Sequence, residues 1–154
     1  PLGISHALLQ AQPFLSDEDV TLFVLGDNFF ENNPIKKINF SQILSDKGCC
    51  IFTYEVPNPS DFGVAVIEEN KVISIEEKPD KPKSNKAIIG VYIYDNTLID
   101  KIQTLEPSDR GEYEITDLNN LYIKEGSCMS EEIIGWWIDA GTPDRIEELE
   151  SKLV

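Results

Sequence analysis

The amino-acid sequence predicts an α/β domain, in which helices flank a mostly parallel sheet interrupted by one antiparallel hairpin. Three observations carry this. Strand-like and helix-like patterns alternate along the 154 residues. Residues 20–25 form an apolar run broken only by Thr21, the pattern of a strand buried on both faces. Two short strand-like segments flank Glu69-Asn70, which reads as a hairpin turn. The length fits one domain, and no repeat or linker divides the chain.

The elements follow in order. Residues 4–12 read as a helix, with Ile4, Ala7, Leu8 and Ala11 at helical spacing. After the apolar strand, Gly26-Asp27-Asn28 turns the chain sharply. A short helix over residues 38–46 ends at Gly48, and residues 49–56 form the next strand. Residues 57–60, Pro-Asn-Pro-Ser, form a loop. Residues 63–67 and 71–76 are the hairpin strands, and residues 79–85 an exposed loop with two prolines and two lysines. A strand over 86–94 and a helix over 96–105 come next. The helix over 115–125 has Gly126 placed to follow its last turn. A strand over 131–138 and a closing helix over 142–153, with Pro143 in its first turn, complete the chain.

Charge narrows the partners. With 28 acidic and 13 basic residues the net charge is −15, a field that repels nucleic acid and anionic membrane surfaces alike. A small phosphate-bearing substrate remains compatible, because local lysines and a divalent cation outweigh a distant surplus. Three cysteines, two of them adjacent, do not make a disulfide framework and point to a reducing compartment, the cytoplasm. No apolar run is long enough to span a bilayer and no signal peptide is evident. The start at Pro1-Leu2-Gly3, without Met, points to a beginning inside a longer protein.

Some residue types stand where chemistry is done. Asp27 follows a buried strand, and open α/β sheets bind ligands at the carboxyl ends of their strands. It reads either as a turn former or as a ligand to a hard cation. Asp139, in Trp136-Trp137-Ile138-Asp139-Ala140-Gly141-Thr142, also lies between strand and helix and reads either as a helix cap or as a ligand. Two carboxylates at adjacent strand ends could share one Mg²⁺, with waters and substrate phosphates completing the octahedron. Glu76-Glu77-Lys78-Pro79 ends a strand, offering Glu77 to sugar hydroxyls and Lys78 to phosphate. Arg110, before Gly111-Glu112, is either a phosphate fork or the partner of Glu112 or Glu114. His6, the one histidine, reads as structural, and the Cys49-Cys50 pair as core. Trp136 and Trp137 read equally as core or as a ligand platform.

Taken in order, the motifs resemble a known family. They are Pro1-Leu2-Gly3, Leu25-Gly26-Asp27-Asn28, Phe62-Gly63-Val64, Glu76-Glu77-Lys78-Pro79, Gly90-Val91-Tyr92, Arg110-Gly111-Glu112-Tyr113-Glu114-Ile115-Thr116-Asp117 and Trp137-Ile138-Asp139-Ala140-Gly141-Thr142. This succession resembles the sugar-1-phosphate nucleotidyltransferases, most closely the glucose-1-phosphate thymidylyltransferase branch. The resemblance implies a Rossmann-like sheet of the nucleotide-diphospho-sugar transferase type. It implies Gly3 against the nucleotide base and Mg²⁺ on Asp27 and Asp139. Gly63, Glu77 and Tyr92 would line the sugar pocket, and Lys78 and Arg110 would meet the sugar phosphate. Phe62 departs from the tyrosine expected at its position, and Phe29-Phe30-Glu31-Asn32-Asn33 is not the familiar form. The family's opening strand and Gly-rich loop, of the form GGxGTRLxPxT, do not occur. The fold is therefore expected to lack its first strands, and residues 1–154 to be the later part of one domain. Roughly the first third would be missing, going by the usual size of such a domain.

The implied reaction is nucleotidyl transfer from a nucleoside triphosphate, dTTP in this branch, to glucose 1-phosphate. The product is a sugar nucleotide plus pyrophosphate. A sugar phosphate is already mostly dianionic at neutral pH, with a second pKa of about 6, so catalysis rests on positioning and charge neutralisation. Alternatives keep the fold with UTP, CTP or another sugar phosphate, or make the chain a non-catalytic binding module. The piece alone is expected to be inactive, and homo-oligomers are common in the family.

Overall fold

The computed structural model describes residues 2–153; Pro1, first residue of the Pro1-Leu2-Gly3 motif, lies outside them. Among the described residues, eight strands and five α-helices succeed one another. The strands are β1 (Thr21–Val24), β2 (Asn28–Phe30), β3 (Cys49–Glu55), β4 (Gly63–Glu68), β5 (Lys71–Glu77), β6 (Lys86–Tyr94), β7 (Cys128–Glu132) and β8 (Trp137–Asp139). The helices are α1 (Ile4–Leu9), α2 (Phe40–Asp46), α3 (Leu98–Gln103), α4 (Ile115–Lys124) and α5 (Pro143–Leu153). Six strands form one sheet in the order β1-β6-β3-β7-β5-β4, and β2 pairs β8 in a separate ribbon. The large sheet curls, because β4 also meets β6 where Val64 faces Ala87.

Period-two alternation sorts the core into two layers. From β3, Cys49 and Ile51 join one cluster and Cys50 and Phe52 the other. From β6, Tyr92 and Tyr94 join the first, and Ile89, Val91 and Ile93 the second. The first layer packs under Leu8 of α1, Leu98 and Ile102 of α3, and Leu118 and Tyr122 of α4. The second lies under Ile35, Ile38, Phe40 and Ile43, around α2, and takes in Trp137 of β8.

Local chemistry places the ends. Asn39 caps α2, its Oδ1 accepting from Gln42 N–H at 3.2 Å. Glu69 and Asn70, at φ 48° and 65°, make the two-residue left-handed turn that matches the twist of a hairpin. Gly126, at φ 71°, follows the last turn of α4 as expected.

The mixed α/β class with flanking helices holds, but several expectations need correction. Strand directions differ from the mostly parallel sheet: β3 with β7 is the one parallel pairing among the described residues, and the others are antiparallel. The apolar run at 20–25 is an edge strand. Among the described residues β1 pairs β6 alone, and Leu22 and Val24 remain 40% and 45% exposed. Composition reports that a strand is apolar, not how many neighbours it has. The single strand expected over 131–138 is two, in different sheets, because the chain breaks at Gly135 with φ 96°. Asn28, assigned to a turn, opens β2. The first helix is shorter than expected, giving way to a 3₁₀ turn over Gln12–Phe14 at Pro13.

Candidate active site

Backbone pairing brings Asp27 and Asp139 to one corner. β2 and β8 run antiparallel with Asn28 opposite Asp139, and Ala140 N–H donates to the Asp27 carbonyl at 2.7 Å. Asn28 fastens this corner to the sheet. Its Oδ1 accepts from Gly90 N–H of β6 at 3.0 Å and from the Trp137 indole Nε1–H at 2.8 Å. Its Nδ2 donates to Asp27 Oδ1 at 2.9 Å. Gly90 completes the clamp through its carbonyl, which accepts from Leu25 N–H at 2.8 Å. A side chain at Gly90 would collide, since its Cβ would stand 2.7 Å from Asn28 Nδ2 and 2.8 Å from Leu25 Cβ.

This corner has the chemistry of a hard-cation site. Both side chains offer oxygen only, and Asp139 Oδ1 accepts from Gly141 N–H at 3.2 Å. No cluster of three or more His, Cys, Asp or Glu side chains that could hold a metal occurs among the described residues. A donor set of two carboxylates fits Mg²⁺, which keeps several waters, better than Ca²⁺, which asks for more protein oxygens.

Beside Asp139 lies a cleft of about 270 Å³, which Asp61, Gly63, Glu77, Lys78, Tyr92 and Asn119 also line. Gly63 stands opposite Glu77 in the β4–β5 register, and a Cβ there would sit 3.1 Å from Glu77 Oε2. Glycine thus leaves the carboxylate room. Lys78 follows β5 directly, in the left-handed region at φ 41°, its N–H donating to the Phe62 carbonyl at 3.0 Å. The strand stops there and its cation stands at the cleft, with no ion pair among the described residues. Burial, with a smaller contribution from the Glu77 charge, pushes the Tyr92 phenol well above its ordinary range, so it stays neutral. A second cavity, about 550 Å³, shares Asp61, Phe62 and Asp139 with the first and reaches Arg145. Phe62 and Tyr54 each lie 5.7 Å from the Trp137 ring, edge to face. Trp137 is therefore core and cavity wall at once.

Three of the site residues expected from the sequence stand apart from the cleft lining: Asp27, in the turn before β2, and Arg110 and Gly3. Arg110 is 69% exposed and forks onto Glu114, with Nη2 2.9 Å from both carboxylate oxygens. Of its two sequence readings, the ion pair is the one formed. Gly3, at φ 88°, caps α1 against Tyr113, whose carbonyl would lie 2.6 Å from a Cβ. Its neighbour Ile4 lines the cleft instead. His6 stacks on Tyr113 with centroids 6.2 Å apart, the structural role expected of it.

The match to known proteins accounts for this assembly. The model of the nucleotidyl transferase family covers residues 1–154. The chain belongs to the nucleotidyl transferase family. Among nucleotidyl transferases it is similar to the glucose-1-phosphate thymidylyltransferase of Neisseria meningitidis serogroup A, 39% identical over 155 aligned positions that cover 98% of this chain and 53% of that protein. It is 38% identical to the low-salt glycan biosynthesis nucleotidyltransferase of Haloferax volcanii, over 96% of this chain and 42% of that one. A crystal structure from Bacillus anthracis, named as a candidate glucose-1-phosphate thymidylyltransferase and solved with sucrose, superposes with a TM-score of 0.84. It is 38% identical, over 97% of this chain and 60% of that one. A UDP-glucose pyrophosphorylase complexed with UDP-glucose, at 22% identity, shares the fold with the same TM-score. The chain spans about half the length of the relatives it matches.

Two residues of this candidate site were not legible in the sequence. Asn28 reads as a turn former, and nothing in its neighbours announces contacts with β6 and β8, which lie more than sixty positions away. Asn119 had a signal: it is a polar residue on the buried face of α4, next to Leu118 and one turn from Tyr122.

Proposed function

We propose that this chain carries the sugar-phosphate side of a nucleotidyl transfer, with glucose 1-phosphate as acceptor and dTTP as donor. An oxygen of the sugar phosphate attacks the α-phosphorus of the triphosphate, and the bond to pyrophosphate breaks with its electron pair on the leaving oxygen. The observation that carries this is the meeting of Glu77, Lys78 and Asp139 at one cleft, from strands far apart in sequence. The choice of dTTP and glucose rests on likeness to the thymidylyltransferases.

Lys78 neutralises the incoming phosphate, and Glu77 takes hydrogen bonds from sugar hydroxyls. Gly63 and Tyr92 shape the walls around the sugar. Arg110 joins the phosphate when it leaves Glu114, and Gly3 lies on the side of the nucleotide base. Asp27 and Asp139 would hold Mg²⁺. Such an ion supplies charge neutralisation and a template for phosphate oxygens. Three buried free thiols fit the reducing compartment of a cytoplasmic enzyme.

Calorimetric titration of the chain with glucose 1-phosphate, in Mg²⁺, tests this. Lys78→Ala is expected to weaken binding about tenfold, the effect of losing one charge-assisted hydrogen bond. Binding of glucose as tight as that of its phosphate would overturn the assignment of Lys78. Pyrophosphate release with dTTP, UTP, CTP, ATP and GTP, in a protein that also contains the Gly-rich loop, would rank the bases. Preference for another base would replace dTTP.

A further inference from the structure

Asn119 is 1% exposed, yet it lines the cleft together with Glu77, Lys78 and Tyr92. Its Oδ1 is taken: the Tyr94 hydroxyl, in a fully buried side chain, lies 2.7 Å away. Which way the amide points follows from the tyrosine. With Oδ1 toward Tyr94, the phenolic hydrogen has an acceptor. With the amide turned over, that hydrogen would face an NH₂ group and have no other acceptor among the described residues. A buried donor without an acceptor is costly, so the first orientation holds. Burial also pushes the Tyr94 phenol well above its ordinary range, keeping the proton in place.

The other end of the amide is free. Asn119 Nδ2 has no partner among the described residues. It is not sealed in either, since the one buried side-chain polar atom without a partner there is Asp95 Oδ2. The open space that Asn119 borders is the cleft. The cleft therefore presents a fixed donor, Asn119 Nδ2, on the same lining as an acceptor, the Glu77 carboxylate. An alcohol meets both demands, because its oxygen accepts while its hydrogen is donated. A deoxy carbon meets neither.

We propose that Asn119 is a specificity determinant, a fixed donor that requires one hydroxyl of the sugar. The proposal rests on the sugar-phosphate reading of the cleft and adds a residue and a selection rule to it. Tyr94 acts through Asn119 as a positioning residue, holding the amide in the donating sense. A site built to hydrogen-bond a hydroxyl rejects an analogue lacking it far more strongly than an apolar pocket rejects a missing methylene.

The test is a titration of the chain with glucose 1-phosphate, its 2-, 3-, 4- and 6-deoxy analogues, and inorganic phosphate. One analogue is expected to bind the wild type at least about tenfold more weakly than the parent does. Asn119→Asp keeps the shape and an acceptor for Tyr94 but loses the donor. It should abolish the difference between parent and that analogue, while its added charge weakens inorganic phosphate and the sugar phosphates alike. Asn119→Leu should weaken the parent by a similar factor, abolish the same difference and leave inorganic phosphate unchanged, and Tyr94→Phe should reduce the difference without removing it. Circular dichroism confirms that each variant is folded. Equal discrimination in wild type and Asn119→Asp would overturn the role of Asn119 and leave the sugar-phosphate reading standing. A folded wild type that binds phosphate but no sugar phosphate more tightly would overturn both.

Discussion

At the β2–β8 corner beside the cleft, Asn28 uses its amide to join β2, β6 and β8, and Asp27 is oriented by that clamp. At the cation end, Lys78 is exposed on a strand terminus and Arg110 is turned outward to Glu114. The carboxylates have their geometry before any ligand arrives, whereas the cations must be collected. The difference lies in what satisfies each group. Backbone pairing brings Asp27 and Asp139 to one corner, and each carboxylate has its own hydrogen-bond donor there. A lone cation at a surface has water and nearby carboxylates to satisfy it, in a chain whose net charge is −15.

The strongest way to break this contrast is to remove the clamp. Asn28→Leu strands Gly90 N–H and the Trp137 indole N–H without acceptors, at about 1–3 kcal/mol for each unmade buried bond. A loss near 3 kcal/mol in urea unfolding is expected. Asn28→Asp separates hydrogen bonding from packing: it restores both acceptors but faces Asp27 with a second carboxylate. It should recover much of that stability without recovering the orientation of Asp27. If Asn28→Leu unfolds at the wild-type midpoint, the clamp is not what holds the corner.

A smaller disturbance comes from the strand side. Gly90→Ala keeps every hydrogen-bonding group but drives a methyl into Asn28 Nδ2 and Leu25 Cβ. Overpacking of this kind costs about 1–3 kcal/mol, and the backbone-linked Leu25 Cβ leaves little room to yield. The midpoint should fall less than for Asn28→Leu, and the Trp137 fluorescence should shift as its indole partner moves. An unchanged midpoint and spectrum would show that the Leu25–Asn28 turn can lift off β6.

How much of this was legible in the sequence depended on whether the determinant was local. The hairpin over β4 and β5, the strand β6 and the helix α4 with Gly126 are set by turn chemistry and periodicity, and they fall where expected. Strand partners are set by contacts remote in sequence, so β1 read as a fully covered strand and β7 and β8 read as one. The same holds for the site. Asp27, Glu77, Lys78 and Asp139 announce themselves because a charge at a strand end is unusual. Asn28 and Asn119 are neutral, and their work lies in bonds to Gly90, Trp137 and Tyr94 that no local pattern reveals.

The gentlest perturbation sharpens the cation end. Burial raises the Glu114 carboxyl, but hydrogen bonds from Ser108 and Arg110 outweigh it and hold the group below the usual carboxylate range. A lowered folded value means stability that is present above the unfolded carboxyl pKa, about 4.3, and is lost as pH falls through the folded one. Glu114→Gln keeps an acceptor for Ser108 and removes that dependence. At pH 7 the variant should unfold at a slightly lower urea midpoint, the small effect of a solvent-screened pair. The gap between wild type and variant should close as the pH falls below the unfolded value; a gap that persists unchanged there would mean the pair is not what lowers Glu114. The substitution also releases Arg110 and removes one negative charge beside it. Inorganic phosphate should then bind about threefold more tightly, a gain of well under one hydrogen bond. If affinity stays constant, Arg110 does not reach the phosphate, and Lys78 is the cation that meets it.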